Sequence, residues 1–177
     1  GKEYDIALYE QTYDAAIDFA KEFPETAWCY GNHDLSYLWH RIESGYSSMA
    51  AYTVQRKLLD LRDALPESNP IRYVQKIDNV LFSHAGVLDY FAESVVPKAK
   101  YHDVEAVVAA INELGPNEMW NDASPIWLRP QHSNMRLYKP RKLLQIVGHT
   151  PMDMITKETG GQYLGSITLV GGLSNVG

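Results

Sequence analysis

The stretch Asn-Val-Leu-Phe-Ser-His-Ala-Gly at residues 79–86 decides the fold, because a short apolar run stops abruptly at a histidine and a glycine. A second stretch of this kind, Leu-Leu-Gln-Ile-Val-Gly-His-Thr-Pro, occupies residues 143–151. Short apolar runs that end in turn residues are typical of buried strands. In open sheets, ligands bind beyond the carboxyl ends of the strands. The two stretches therefore predict a sheet with a histidine site at its strand ends.

A third loop of the same type follows the apolar residues 26–30, which we expect to form another buried strand. Together the three loops present one asparagine and three histidines, namely Asn32, His33, His84 and His149. Imidazole nitrogen suits Zn, Fe, Mn or Ni, and an amide oxygen suits harder cations. A single histidine after a strand is more often structural, but three in the same context favour a hydrolytic metal site.

Helical and strand patterns alternate along the rest of the chain, which indicates an α/β or α+β layered domain. We expect one domain over residues 1–177, because a chain of 177 residues suits a single core. Asp34 is expected to cap the second helix. Helices are predicted over 14–23, from 35 to near 45, over 51–65 and over 104–111; strands are predicted over 71–75, 79–83 and 143–147, with weaker ones near 152–156 and 166–170.

Composition excludes several classes of protein. The net charge of −6 argues against a protein that coats nucleic acid. No apolar run reaches the length of a membrane span, so no membrane partner is expected. The single cysteine, Cys29, rules out an internal disulfide and favours a reducing, cytoplasmic compartment. Its place on a predicted buried strand indicates an inert, packed thiol.

The three loops carry a family resemblance. Gly-Asn-His-Asp at 31–34, Ser-His-Ala-Gly at 83–86 and Gly-His-Thr-Pro at 148–151 resemble, in this order, the last three signature blocks of the calcineurin-like metallophosphoesterases. The branch they resemble most is the phosphoprotein-phosphatase-like one, which includes bacterial and phage Ser/Thr phosphatases and diadenosine tetraphosphatases. The resemblance implies a layered β-sandwich flanked by helices and a site for two metal ions, which could be Mn, Fe, Zn or Ni.

The resemblance also implies roles for individual residues. Asn32, His84 and His149 would be ligands of one metal ion. His33 would be the general acid that protonates the leaving oxygen.

A further implied element is the sequence Trp-Leu-Arg at 127–129, whose arginine would bind the substrate phosphate. Arg129 is therefore a candidate both for substrate binding and for stabilising the transition state, since a guanidinium matches phosphate with two parallel hydrogen bonds. Arg136 and Arg141 are the alternatives for this role.

Two earlier blocks of the family, Asp-x-His and Gly-Asp-x-x-Asp-Arg-Gly, do not occur in the chain. We expect that the sequence lacks an N-terminal segment and that Gly1 is the last glycine of the second block. Without the carboxylates of those blocks, this chain is expected to bind metal weakly and to hydrolyse phosphoesters slowly or not at all.

The expected function is metal-dependent hydrolysis of a phosphomonoester, of the Ser/Thr protein phosphatase type, on a phosphoprotein or a small phosphoester. One alternative is a dinucleoside polyphosphate hydrolase or phosphodiesterase that uses the same site. The other is a non-catalytic scaffold that keeps the fold and has lost its metals.

Overall fold

A computed structural model describes residues 6–130 and 135–150, together with the strand backbones at 156–158 and 166–168. The chain divides into two compact units. The first unit comprises residues 1–28 and 32–71, and the second comprises residues 29–31 and 72–177. The single domain over 1–177 stays a prediction, and the two units are described in turn.

The first unit is helical in its described part, with α1 at Ile6–Glu22, α2 at Asn32–Leu38 and α3 at Ala51–Ala64. Helix α3 was expected, because apolar residues recur on one face. Ile17 and Ala20 of α1 pack in one buried cluster with Leu61 and Leu65. Helix α1 begins eight residues before the predicted start at Asp14. Tyr9 and Tyr13 of its first turns pack, partly buried, against a second cluster that contains Tyr37 and Val54.

Helix α2 is shorter than its pattern predicts. It ends at Leu38, and His40 adopts a left-handed backbone with φ of 53°. The Arg41 amide then donates to the Ser36 carbonyl at 2.9 Å, which closes the helix end. Ile42, expected on the apolar face, is instead 79% exposed in the following loop.

The expected cap of α2 is also wrong. The helix already begins at Asn32, so Asp34 lies inside the first turn. A carboxylate in that turn still interacts favourably with the helix dipole.

The second unit contains a five-stranded sheet in the order β1-β2-β3-β5-β4. The β2–β3 and β3–β5 pairs are parallel, whereas β1–β2 and β4–β5 are antiparallel. Asp78, with φ of 52°, lies in the turn that joins β1 to β2. The strands are β1 Val74–Ile77, β2 Val80–Ser83, β3 Leu144–Val147, β4 Thr156–Glu158 and β5 Ser166–Thr168.

Short helices connect β2 to β3. They are α4 at Asp89–Ser94, a 3₁₀ helix at Lys98–Lys100, α5 at Val104–Asn112 and α6 at Pro116–Met119. Of these, only α5 was predicted. It starts where the Asp103 carboxylate accepts a hydrogen bond from the Ala106 amide at 3.1 Å.

The predicted strand over residues 26–30 does not form. Cys29 makes a single parallel bridge with Arg72, and the Tyr30 amide donates to the Arg72 carbonyl at 2.9 Å. One bridge leaves no continuous ladder, so the apolar run stays irregular. Its last residues nevertheless belong to the second unit and lead directly into Gly31.

The fold is therefore mixed α/β, as predicted at the level of class. Its described strands form one sheet, and the layered metallophosphoesterase sandwich is not confirmed. Among the described helices, none is long and apolar enough to cross a membrane.

Candidate active site

The loops after β2 and β3 meet at one edge of the sheet. The two strands are parallel neighbours, with Ser83 paired to Val147 at their ends. The chain leaves both strands in the same direction, so the residues that follow are brought together. The Gly148 amide donates to the His84 carbonyl at 2.9 Å, which ties the two loops.

His84 and His149 face each other at this edge. The Nε2 atom of His84 lies 2.9 Å from the Nδ1 atom of His149, and the ring planes make an angle of 63°. The two residues are 65 positions apart in the chain. Their positions after two apolar runs predict that they converge, and the structure brings them into direct contact.

The backbone at His149 is unusual. Its φ of 64° lies in the left-handed region, which residues with a Cβ seldom adopt. A residue held there is destabilised by about 1–3 kcal/mol and needs support from its surroundings. Trp127 provides part of that support, because its ring packs edge-on against the imidazole with centroids 6.0 Å apart.

Gly31 packs directly against His84. A Cβ atom at position 31 would lie 3.0 Å from both Cε1 and Nδ1 of His84, closer than most Cβ contacts in proteins. Glycine therefore lets the backbone approach the ring without displacing it. The next residue along the chain is Asn32, which is buried and begins α2 in the first unit. Its role as a metal ligand stays a prediction.

Arg129 is tied to the His149 loop. Its Nη1 atom donates to the Thr150 hydroxyl at 3.1 Å, and Thr150 is the buried residue that follows His149. Arg129 is an exposed residue, and its guanidinium has five N–H donors, of which this bond uses one. Arg129 was predicted from the sequence, whereas its hydrogen bond to Thr150 was not.

The two alternative arginines differ from Arg129 in their surroundings. The Nε atom of Arg136 lies 3.8 Å from the Asp89 carboxylate, next to the α4 helix. Arg141 is exposed in the turn before β3. Of the three, only Arg129 has a hydrogen bond to the His149 loop among the contacts described.

His33 lies in the first unit, on the first turn of α2. Its Nδ1 atom is 2.7 Å from the Oε1 atom of Glu43, and the imidazole is largely exposed. The contact has the distance of an ion pair, and Oε1 forms no hydrogen bond of regular geometry in the described part of the chain. The contact with Glu43 was not predicted, because the apolar spacing of the neighbouring Ile42 indicated a helix that in the structure has already ended at Leu38.

Cys29 behaves as predicted for a packed thiol. Its Sγ atom donates to the Phe82 carbonyl at 3.4 Å. Burial raises the pKa of the thiol to about 12. The hydrogen bond with the backbone of Gln75 lowers the pKa, but this effect is smaller. The thiol is therefore protonated at neutral pH and is a poor nucleophile.

The histidine pair offers two donors to a cation. Metal–nitrogen bonds of about 2.0–2.1 Å that meet at roughly a right angle place two nitrogens about 2.9 Å apart, as observed here. The same distance also suits an N–H···N hydrogen bond between two neutral rings. No group of three or more His, Cys, Asp or Glu side chains suited to a metal occurs among the residues that the structure describes.

Comparison with known proteins identifies no family. No family model matches the chain, and no curated protein matches it either. The resemblance to the metallophosphoesterases therefore depends on the three loop motifs alone.

Solved structures give distant similarities. One is the cold-active protein tyrosine phosphatase of a psychrophile, Shewanella sp., with 14% identity, a TM-score of 0.48, and coverage of 78% of this chain and 47% of that chain. Another is a mutant of a cold-active protein tyrosine phosphatase, with 13% identity and a TM-score of 0.48. That alignment covers 80% of this chain and 48% of the other. The chain thus spans less than half the length of these proteins. At this identity and TM-score, the similarity carries no argument about function.

Proposed function

We propose that this chain belongs to a metal-dependent phosphoester hydrolase that acts on phosphomonoesters. The observation that carries the proposal is the contact of 2.9 Å between His84 Nε2 and His149 Nδ1 at the carboxyl ends of two parallel strands. Such an edge is where ligands bind in open sheets. Arg129, which hydrogen-bonds to Thr150 of the His149 loop, adds the group that phosphate recognition needs.

His84 and His149 would hold a divalent cation, with Asn32 as the third proposed ligand. When bound, the cation would supply charge neutralisation at the phosphoryl group and a water of lowered pKa. Support for a cation comes from the donor set, since two imidazole nitrogens suit Zn, Mn, Fe or Ni. The second metal ion that the motifs imply is part of the same proposal.

Arg129 would bind the phosphate oxygens. Its hydrogen bond to Thr150 occupies Nη1 and fixes one edge of the guanidinium, which leaves donors on the remaining edges for substrate. A side chain held in this way loses less conformational freedom when the substrate binds.

His33 would donate a proton to the leaving oxygen. An alkoxide is a poor leaving group, so a positioned acid accelerates the cleavage of alkyl phosphates, typically by about 10²–10⁴-fold. The exposed imidazole beside Glu43 is accessible for such a transfer.

The test compares hydrolysis with and without metal. We expect the chain to release phosphate from phosphoserine and phosphothreonine peptides, slowly because the carboxylates of the two earlier blocks are absent from it, when Mn²⁺, Zn²⁺, Fe²⁺ or Ni²⁺ is added, and to stop after chelation. His84→Ala and His149→Ala should abolish the metal-dependent rate, whereas His102→Ala, at an exposed position, should not. Equal release by all three variants would contradict the proposal.

The substrate panel separates the enzymatic alternatives. It includes 4-nitrophenyl phosphate, its bis ester, a phosphotyrosine peptide and diadenosine tetraphosphate. Faster cleavage of the diester or of the tetraphosphate would replace the monoesterase by a phosphodiesterase or a polyphosphate hydrolase. Metal binding without cleavage of any substrate would favour a non-catalytic role.

A further inference from the structure

We infer that Glu43 is the positioning residue of His33: its carboxylate holds the imidazole in one orientation and one tautomer. The reaction in which His33 takes part rests on the proposed function, whereas the contact itself lies within the first unit. Glu43 Oε1 is 2.7 Å from His33 Nδ1. A carboxylate at one imidazole nitrogen fixes the ring and leaves the other nitrogen for chemistry.

The loop that carries Glu43 reverses the usual pattern of burial. The Glu43 side chain is only 9% exposed, whereas the neighbouring Ile42 is 79% exposed. Charged side chains are almost never buried unless they are paired, and isoleucine is among the most buried residues. The loop therefore turns its carboxylate inward toward His33 at the expense of an apolar contact.

The partner of Glu43 explains this reversal. A buried carboxylate is costly unless a charge or a hydrogen-bond donor compensates it. In the described part of the chain, Oε1 has no hydrogen bond of regular geometry, and the imidazole of His33 is the polar group placed at ion-pair distance. The compensation of this oxygen thus depends on His33.

Neighbouring residues support the same arrangement. The Ser44 hydroxyl donates to Glu43 Oε2 at 3.3 Å, which holds the second carboxylate oxygen. Gly45 has φ of 91°, and a Cβ atom there would lie 3.1 Å from His33 Cε1. Tyr46 stacks on Tyr37 of α2, with centroids 4.6 Å apart, and so fixes the end of the loop. The imidazole is enclosed on the side of the loop and open elsewhere.

The first experiment measures the tautomer of the His33 imidazole directly. Imidazole ¹⁵N signals of the full chain are recorded above the pH range in which histidine titrates, and the His33 signals are assigned with His33→Ala. We expect one tautomer, with the proton on Nδ1. In Glu43→Ala the proton should be shared between both nitrogens, so that their signals move toward each other. Ile42→Gln, at the adjacent exposed position, is the control and should keep the single tautomer.

The second experiment uses the leaving group. With metal present, Glu43→Ala should lower kcat for a phosphoserine peptide by about 10- to 100-fold, the range found for residues that orient a functional imidazole. Hydrolysis of 4-nitrophenyl phosphate, whose leaving group needs no proton, should change by less than about threefold. Gly45→Ala retains the carboxylate but displaces the ring, and it should show the same selectivity.

The outcomes are separable. Identical His33 ring signals in wild type and Glu43→Ala would overturn the inference, as would an equal loss of activity on both substrates in folded variants. If the wild type hydrolyses neither substrate, the proposed function fails. The ring signals still decide the positioning role in that case.

Discussion

The two histidine contacts of this chain differ in what faces the imidazole. In the second unit, His84 faces another imidazole, at the ends of two hydrogen-bonded strands. In the first unit, His33 faces a carboxylate from an irregular loop. Two nitrogen donors that face each other suit a shared cation, whereas an imidazole held by a carboxylate suits proton transfer. The two imidazoles thus differ in the chemistry that their surroundings would suit.

Among changes that keep the proposed metal ligands, the largest effect is expected from removing His33, the proposed proton donor. His33→Ala should lower turnover of a phosphoserine peptide by about 10²–10⁴-fold. The free energy of unfolding should also fall, by about 1–3 kcal/mol, because the largely buried Glu43 carboxylate loses the imidazole that lies 2.7 Å away. His102→Ala is the matched control. Unchanged turnover in His33→Ala would remove the difference between the two contacts on which the comparison depends.

A smaller effect is expected from a substitution that displaces the His84 ring from its contact with His149. In Gly31→Ala, the added methyl group would lie 3.0 Å from the His84 ring and displace it. We expect zinc affinity, measured by calorimetry, to fall by about 10- to 100-fold. Overpacking should lower the free energy of unfolding by about 1–3 kcal/mol.

Gly115→Ala is the control for this substitution. There a new Cβ atom would meet only the flexible end of Glu118 at 3.1 Å, so zinc affinity should be preserved. Wild-type affinity in Gly31→Ala would show that the His84 ring does not need its observed position.

The anchor of Arg129 should have a modest effect. Thr150→Val keeps the shape of a buried side chain and removes the acceptor of the Arg129 hydrogen bond. Without this hydrogen bond the Arg129 side chain is less ordered before substrate binds, which should weaken substrate binding by about 1 kcal/mol. KM should therefore rise by about fivefold, and kcat should stay nearly unchanged. The exposed Thr12, whose hydroxyl bonds to its own helix, provides the control Thr12→Val. A fall in kcat without a change in KM would contradict a binding role.

The smallest effect is the dependence of stability on pH that comes from Tyr138 in the second unit. Burial, followed by the charge of Asp89, raises the pKa of Tyr138 from 10.0 to about 12. Folding therefore favours the protonated phenol. Its contribution to stability is complete below about pH 10 and is lost as the pH rises toward 12.

Urea unfolding followed at several pH values checks this expectation. The free energy of unfolding should fall between pH 10 and 12, with a smaller slope in Tyr138→Phe than in wild type. Ionisation of Tyr138 is measured as the difference in ultraviolet absorbance between wild type and Tyr138→Phe, because the chain has 12 tyrosines. Parallel slopes in the two proteins would show that the phenol is not held in its neutral form.

The elements that could be predicted are those with a clear physical period. Helix α5 and strand β3 lie within a residue or so of their expected bounds, because apolar side chains recur at the helical spacing or end in a glycine. The contact between His84 and His149 followed from parallel strands that end at one edge. At 65 residues of separation, only the sheet brings the two rings together.

The loop chemistry could not be predicted in this way. Glu43 and Thr150 contact their partners through irregular backbone, where the sequence has no period that indicates which side chain turns inward. The spacing of Ile42 from Leu38 continued the helical pattern and so predicted a helix across Glu43. In the structure the helix has already ended at Leu38, and His40 adopts a left-handed backbone. Helix α4 was missed because six residues are too few to show a period.

The most direct test of the account is whether one ion binds between the facing nitrogens of His84 and His149. Zinc is titrated into ¹⁵N-histidine-labelled full chain, with His84→Ala and His149→Ala used to assign the ring signals. The account predicts that His84 Nε2 and His149 Nδ1 shift together with the same dependence on zinc, while the signals of His102 stay in place. If those two nitrogens do not respond, or respond at different zinc concentrations, the facing imidazoles are joined by a hydrogen bond and not by a shared ion.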